Sequence, residues 1–159
     1  MKPKISIFWF RRDLRIEDNV GLYHALSSGN KVLPLFVFDT DILENLDADD
    51  ARVTFIHEEL TRMHRFLSEV GSSLFVRRGK VTEVFKELID TFDLQEVYTN
   101  RDYEPYATQR DEEAKDFLSL MNVPLLSFKD QVIFETNEIV KQDGSPYKVY
   151  TPYSKKWLS

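Results

Sequence analysis

Residues 5–10 read Ile5-Ser6-Ile7-Phe8-Trp9-Phe10, an almost unbroken apolar run. Alternation of apolar and polar residues marks a strand with one wet face, whereas a short continuous run suits a strand covered on both faces. Comparable runs recur at Val32 to Phe38, Ser73 to Val76, Glu96 to Thr99 and Pro124 to Phe128, with segments of helical period between them. Strand and helix alternating in this way predict a parallel sheet.

The helical segments carry their own start and stop signals. Asp18-Asn19 can cap a first helix bearing Val20, Leu22, Tyr23 and Leu26, and Gly29 ends it. A longer helix begins at Asp49-Asp50, places Val53, Ile56, Leu60, Met63, Leu67 and Val70 at three- and four-residue spacing, and stops at Gly71. A third carries Val81, Val84, Phe85, Leu88, Ile89 and Phe92; a fourth starts near Pro105 and runs through Ala114, Phe117 and Leu118 to Met121. Right-handed crossovers then give an α/β fold, a doubly wound (Rossmann-like) five-stranded parallel sheet in the order 3-2-1-4-5 with helices on both faces. After Phe128 the pattern loosens into short apolar pieces at Val132 to Phe134 and Ile139-Val140, a turn at Asp143-Gly144, and a tail with Tyr147, Tyr150, Tyr153 and Trp157. So many rings with few partners left to them suggest a domain cut from something longer.

The chain has 159 residues, 42% of them hydrophobic, enough for one core. No apolar run approaches the ~18 residues of a membrane span, and Met1-Lys2-Pro3-Lys4 leads into a strand without a secretory cleavage site, so a cytoplasmic location and no membrane partner are expected. The absence of cysteine excludes disulfides and thiolate metal sites, and His24, His57 and His64 fall on predicted helices without metal-ligand spacing. A net charge of −6 argues against a main nucleic-acid surface, since phosphate binding is driven by Lys and Arg.

In open parallel sheets ligands bind beyond the carboxyl ends of the strands, where the winding reverses. The segments to inspect are therefore Phe10-Arg11-Arg12-Asp13-Leu14-Arg15, Asp39-Thr40-Asp41, Arg77-Arg78-Gly79-Lys80 and Asn100-Arg101-Asp102-Tyr103-Glu104. A rim with both signs of charge and aromatic walls suits a planar polar ring. The alternative is structural: Arg11, Arg12, Arg15, Asp13 and Asp18 would form an internal network holding the first loop. No glycine-rich phosphate cradle follows the first strand. Gly79 with its basic neighbours is either a weak anion site or a solvated turn. No nucleophile is paired with a base, so hydrolytic machinery is not visible.

Three separated stretches resemble signatures of the photolyase/cryptochrome family: Trp9 to Arg15 with Asp18-Asn19, Asn100 to Pro105 with Arg110-Asp111, and Tyr147 to Tyr153 with Trp157. The resemblance covers the whole chain and implies an antenna-binding α/β domain over residues 1–130, with residues 131–159 as a linker to a C-terminal helical FAD domain absent from this chain. Full-length members are DNA photolyases, carbon–carbon lyases that use reduced FAD and light to split pyrimidine dimers, or cryptochrome light sensors. The resemblance implies that damaged DNA is contacted through the absent domain and that this fragment alone is inactive in repair. Folate-type members carry Asn-Glu where this chain has Tyr106-Ala107, which points away from folate. Deazaflavin-type members resemble this chain at Phe36, Arg52, Asp102 and Glu104. A deazaflavin or flavin-type antenna is therefore expected, held by those four residues with Phe10 and Arg11. Plain core for Phe36 and an exposed helix charge for Arg52 are the structural alternatives. A stand-alone nucleotide-binding α/β protein is a third reading, against which the aromatic tail and the missing phosphate loop count.

Overall fold

A computed structural model describes residues 2–135 and 137–159; Met1 and Thr136, which the expected domain and linker include, lie outside the described residues. The strands are β1 (Lys4–Phe10), β2 (Val32–Asp39), β3 (Phe75–Gly79), β4 (Asp93–Asn100) and β5 (Leu125–Phe128). They alternate with α1 (Val20–Ser27), the short α2 (Thr40–Leu43), α3 (Ala51–Glu69), α4 (Val81–Thr91) and α5 (Pro105–Leu120), and α6 (Tyr150–Trp157) follows. All pairings are parallel and the order is β3-β2-β1-β4-β5, the sheet that the periodicity predicts.

The central strand shows why a continuous apolar run is needed. Ile5, Ile7 and Trp9 pack with Val84, Phe85 and Leu88 of α4 and Ala114 and Leu118 of α5. Phe8 and Phe10 face the opposite layer, with Leu22 and Ala25 of α1, Leu60 and Met63 of α3, and Phe36. Each large side chain buried this way contributes ~2–3 kcal/mol. Pro34 is tolerated in β2 because pairing with β3 starts only at Leu35, so no ladder on that side needs its missing N–H.

Local signals act as expected at α1. Asn19 accepts the N–H of Leu22 as N-cap, and Gly29 adopts a φ of +82° just past the end. Gly21 serves a different purpose. A Cβ there would lie 2.6 Å from Asn100 Oδ1 and 2.8 Å from Phe8, so only glycine lets α1 approach β4 this closely.

Several elements depart from expectation: β4 already begins at Asp93, ahead of the expected Glu96, and the short α2 is additional. The third strand lies at Phe75–Gly79 instead of Ser73 to Val76, because an edge strand tolerates charge: the Arg77 guanidinium sits 3.6 Å from the Phe75 ring centre. The aromatic tail forms α6, with Pro152 in its first turn, where a missing N–H costs nothing. Its rings find some partners, as Phe134 lies edge-on to Trp157 at 5.6 Å and Tyr147 to Tyr153 at 6.4 Å. The expected turn at Asp143-Gly144 is present, with Gly144 at φ +78°. Asp130, just after β5, ties the chain there to the first loop and the start of α1, accepting from Arg15 at 2.5 Å and from the N–H of Val20 at 3.0 Å. Among the described residues no helix is long and apolar enough to cross a membrane.

Candidate functional site

The winding reverses between β1 and β4, and the crevice beyond their carboxyl ends is where a ligand would be sought. Side chains fill it. Asn100, the last residue of β4, donates to Asp13 at 2.5 Å and to Asn19 Oδ1 at 2.8 Å, and its side-chain oxygen accepts the N–H of Gly21 at 2.8 Å. Asp13 also accepts the N–H of Arg11, and Asn19 donates to the carbonyl of Arg15. Burial raises the Asp13 carboxyl above its usual range, while the Asn100 hydrogen bond opposes that shift. Asp13, Asn19 and Arg15 thus hold the first loop, and the void between that loop and the end of β4, lined by Arg12, Asp13, Asn100 and Asp102, is only about 10 Å³.

The rim on either side of this network carries the remaining polar groups. Phe10 ends β1 on the face of α1 and α3, whereas Arg11, just past the strand, turns to α5 on the opposite face. Phe10 pairs in register with Phe36, and both are buried in the apolar layer beneath α1 and α3. Arg11, its side chain only 5% exposed, pairs with Asp111 of α5 and lies 5.1 Å from the Trp9 ring centre. Arg110 shares the same carboxylate at 2.9 Å and approaches Trp9 to 5.0 Å.

Asp102 and Glu104, in the turn between β4 and α5, are joined by Arg12, which bonds Glu104 and stands 3.7 Å from Asp102. The Asp102 side chain is 7% exposed, and its one hydrogen bond among the described residues is a 3.3 Å contact from the N–H of Glu104. It borders a cleft of about 310 Å³ that also receives Arg101, Tyr103, Thr108 and Lys115. Arg52 is apart from these groups. Its guanidinium grips Asp50, the N-cap of α3, through Nε and Nη2, with the shortest contact at 2.6 Å, and remains 72% exposed. The pair holds the Asp50 carboxyl down to about 2. Among the described residues no hydrogen bond or ion pair links Arg52 to Asp102 or Glu104.

The six expected residues therefore fall into four places: Phe10 with Phe36 in one core layer, Arg11 in an ion pair on the opposite face, Asp102 with Glu104 on the rim, and Arg52 at the start of α3. The sequence reading does not single out Tyr106 and Arg110 as site residues. Tyr106 donates to Asp39 at 2.7 Å beside a second cleft of about 280 Å³ that reaches Lys80 and Thr82 at the start of α4. The spacing of Tyr106 and Arg110, one turn apart at the front of α5, is the signal that could have found them.

A family model described as DNA photolyase matches residues 6–159. The chain belongs to the DNA photolyase family. It is 32% identical over 151 residues to the deoxyribodipyrimidine photo-lyase of a Synechococcus species, covering 95% of this chain and 31% of that protein. A bacterial class III photolyase from Agrobacterium tumefaciens is 28% identical and superposes with a TM-score of 0.84, covering 96% of this chain and 31% of the other. An archaeal photolyase from Sulfolobus tokodaii, solved with two FAD molecules, is also 28% identical, with a TM-score of 0.71 over 84% of this chain and 32% of its own. Cryptochromes are among the relatives as well. The chain spans about a third of the length of the photo-lyases it matches. Its sheet is the N-terminal α/β domain of this family.

Proposed function

We propose that this chain is the light-harvesting domain of a deoxyribodipyrimidine photolyase. Repair of pyrimidine dimers would belong to a helical FAD domain reached through residues 131–159, and this domain alone would be inactive in repair. The match to photolyases over residues 6–159 carries the reading. A rim of charged and aromatic side chains beyond the strand ends is compatible with it, because collecting light needs a dye held in place and no acid, base or nucleophile. The cryptochrome alternative uses the same domain, and photolyase names predominate among the relatives. The net charge of −6 favours contact with damaged DNA elsewhere in the whole protein.

A flavin-type or deazaflavin antenna fits part of the site. Such a dye, when bound, absorbs light and passes the excitation through space to the FAD. Asp102, poorly satisfied by its 3.3 Å contact, has acceptor capacity for an N–H or hydroxyl at the dye's polar edge. Glu104 would add a second acceptor, with Arg12 offsetting the charge of both carboxylates. Arg52 would reach an ionised ring oxygen only by leaving Asp50. Phe10 and Phe36 do not fit in the present arrangement, since α1 and α3 cover them, and would back the ring only if the segment between β2 and α3 shifted. Arg11, committed to Asp111, would act beneath the rim. The Sulfolobus tokodaii photolyase, with its two FAD molecules and the novel light-harvesting cofactor they imply, favours the flavin class over folate.

Titrating the chain with FMN, a deazaflavin and a reduced folate, followed by fluorescence anisotropy, tests this. Saturable binding of a flavin-type dye and not of folate is expected. Binding of folate alone would overturn the choice of dye.

A further inference from the structure

The candidate dye site is divided between two parts of the fold. Phe36 belongs to β2 and Arg52 to α3, while Asp102 and Glu104 belong to the turn between β4 and α5, with β1 between β2 and β4. The β1–β2 ladder ends at the Phe10 and Phe36 pair, so beyond it the two rims are not held by strand pairing. We propose that Tyr106, through its hydrogen bond to Asp39, is a positioning residue that sets the spacing of these two halves. The inference rests on the antenna reading.

Asp39 is the last residue of β2 and only 6% exposed. One of its oxygens accepts the N–H of Asp41 at 3.1 Å as the N-cap of α2, the first element of the segment between β2 and α3, and the other accepts the Tyr106 phenol at 2.7 Å. Tyr106 sits in the first turn of α5, two residues after Glu104. Its bond therefore crosses over β1 and joins the segment leading to Arg52 with the turn that holds Asp102 and Glu104. The α5 end of this strut is anchored: Arg110 lies 5.9 Å from the Tyr106 ring centre and 5.0 Å from that of Trp9, and its neighbour Asp111 binds Arg11, which follows β1. The ring borders the cleft of about 280 Å³, and among the described residues the bond to Asp39 is the one hydrogen bond of its hydroxyl. Burial and the Asp39 carboxylate both raise the phenol's pKa, so it stays a donor throughout the neutral range.

The test compares the chain with Tyr106→Phe, using FMN as probe and reading both affinity and the induced visible circular dichroism of the bound dye. The Phe variant should bind at least about fivefold more weakly, with a changed dichroic band and a nearly unchanged urea midpoint. Asp39→Ala should have a similar effect, and the double variant should bind no more weakly than Asp39→Ala alone. Wild-type affinity and dichroism in Tyr106→Phe would overturn the proposal while leaving the antenna reading intact. Failure of the unmodified chain to bind FMN would instead remove the flavin reading on which the proposal rests.

Discussion

The side-chain nitrogen of Asn100 lies 2.5 Å from the carboxylate of Asp13, closing the crevice between β1 and β4 that other parallel sheets leave open to ligand. The pair makes one polar contact do two jobs. It fastens the end of β4 to the first loop, and through Asp13, which also accepts the N–H of Arg11, it orders the stretch that carries Arg11 and Arg12.

Asp13 gives the stability of the domain a pH dependence of defined sign. Burial raises its folded pKa above the unfolded value of about 3.9. The folded state holds the proton more tightly, so the stability linked to this group is present at low pH and lost as pH rises through the folded pKa. The stability difference between the parent chain and Asp13→Asn should therefore fall as pH rises from about 4. Urea midpoints of both proteins across the acidic range measure this, and parallel profiles would contradict it.

Gly21→Ala opposes two effects. Alanine gains up to ~1 kcal/mol of helix propensity, but its Cβ would meet Asn100 Oδ1 at 2.6 Å and Phe8 at 2.8 Å. Overpacking of this kind costs ~1–3 kcal/mol, so a net loss is expected. Equilibrium urea unfolding would show the opposite sign if α1 can slide away from β4 without cost.

Asp111→Ala removes the carboxylate shared by Arg11 and Arg110 and leaves two guanidinium groups near Trp9. Breaking a buried pair from one side costs ~3–5 kcal/mol, and the partial exposure of Asp111 favours the lower end of that range. Replacing Arg11 by Met in the same chain should recover part of the loss. Chemical denaturation of the single and double variants checks both statements.

Arg52→Ala should leave the urea midpoint nearly unchanged, because the Arg52 guanidinium is exposed and solvent screens its pairing with Asp50. If Arg52 turns toward the dye, the same change weakens flavin binding about tenfold, or ~1.4 kcal/mol. Unchanged affinity in an anisotropy titration would return Arg52 to its role at the start of α3.

The fold was legible because the strands that matter are buried on both faces. Ile5 to Phe10 and Val32 to Phe38 have no polar alternation to blur them, and the helices between them have caps at Asn19 and Asp50 and stops at Gly29 and Gly71. Legibility failed at the edge. Arg77 and Arg78 read as a turn, although the outer strand can carry them, and the polar Asp93 and Gln95 hid the start of β4 ahead of Glu96. The site was less legible, because which face a rim residue takes depends on contacts distant in sequence. The charge pattern does not reveal that Arg11 turns to Asp111, 100 residues on, or that Tyr106 crosses a strand to reach Asp39.

In this reading the domain holds a dye rigidly and leaves the chemistry to another part of the protein. Time-resolved fluorescence anisotropy of a flavin-type dye bound to the chain tests that division of labour. A single slow decay matching the tumbling of the 18.8 kDa protein is expected. A fast local depolarisation of the bound dye, or no saturable binding from which to measure one, would contradict it.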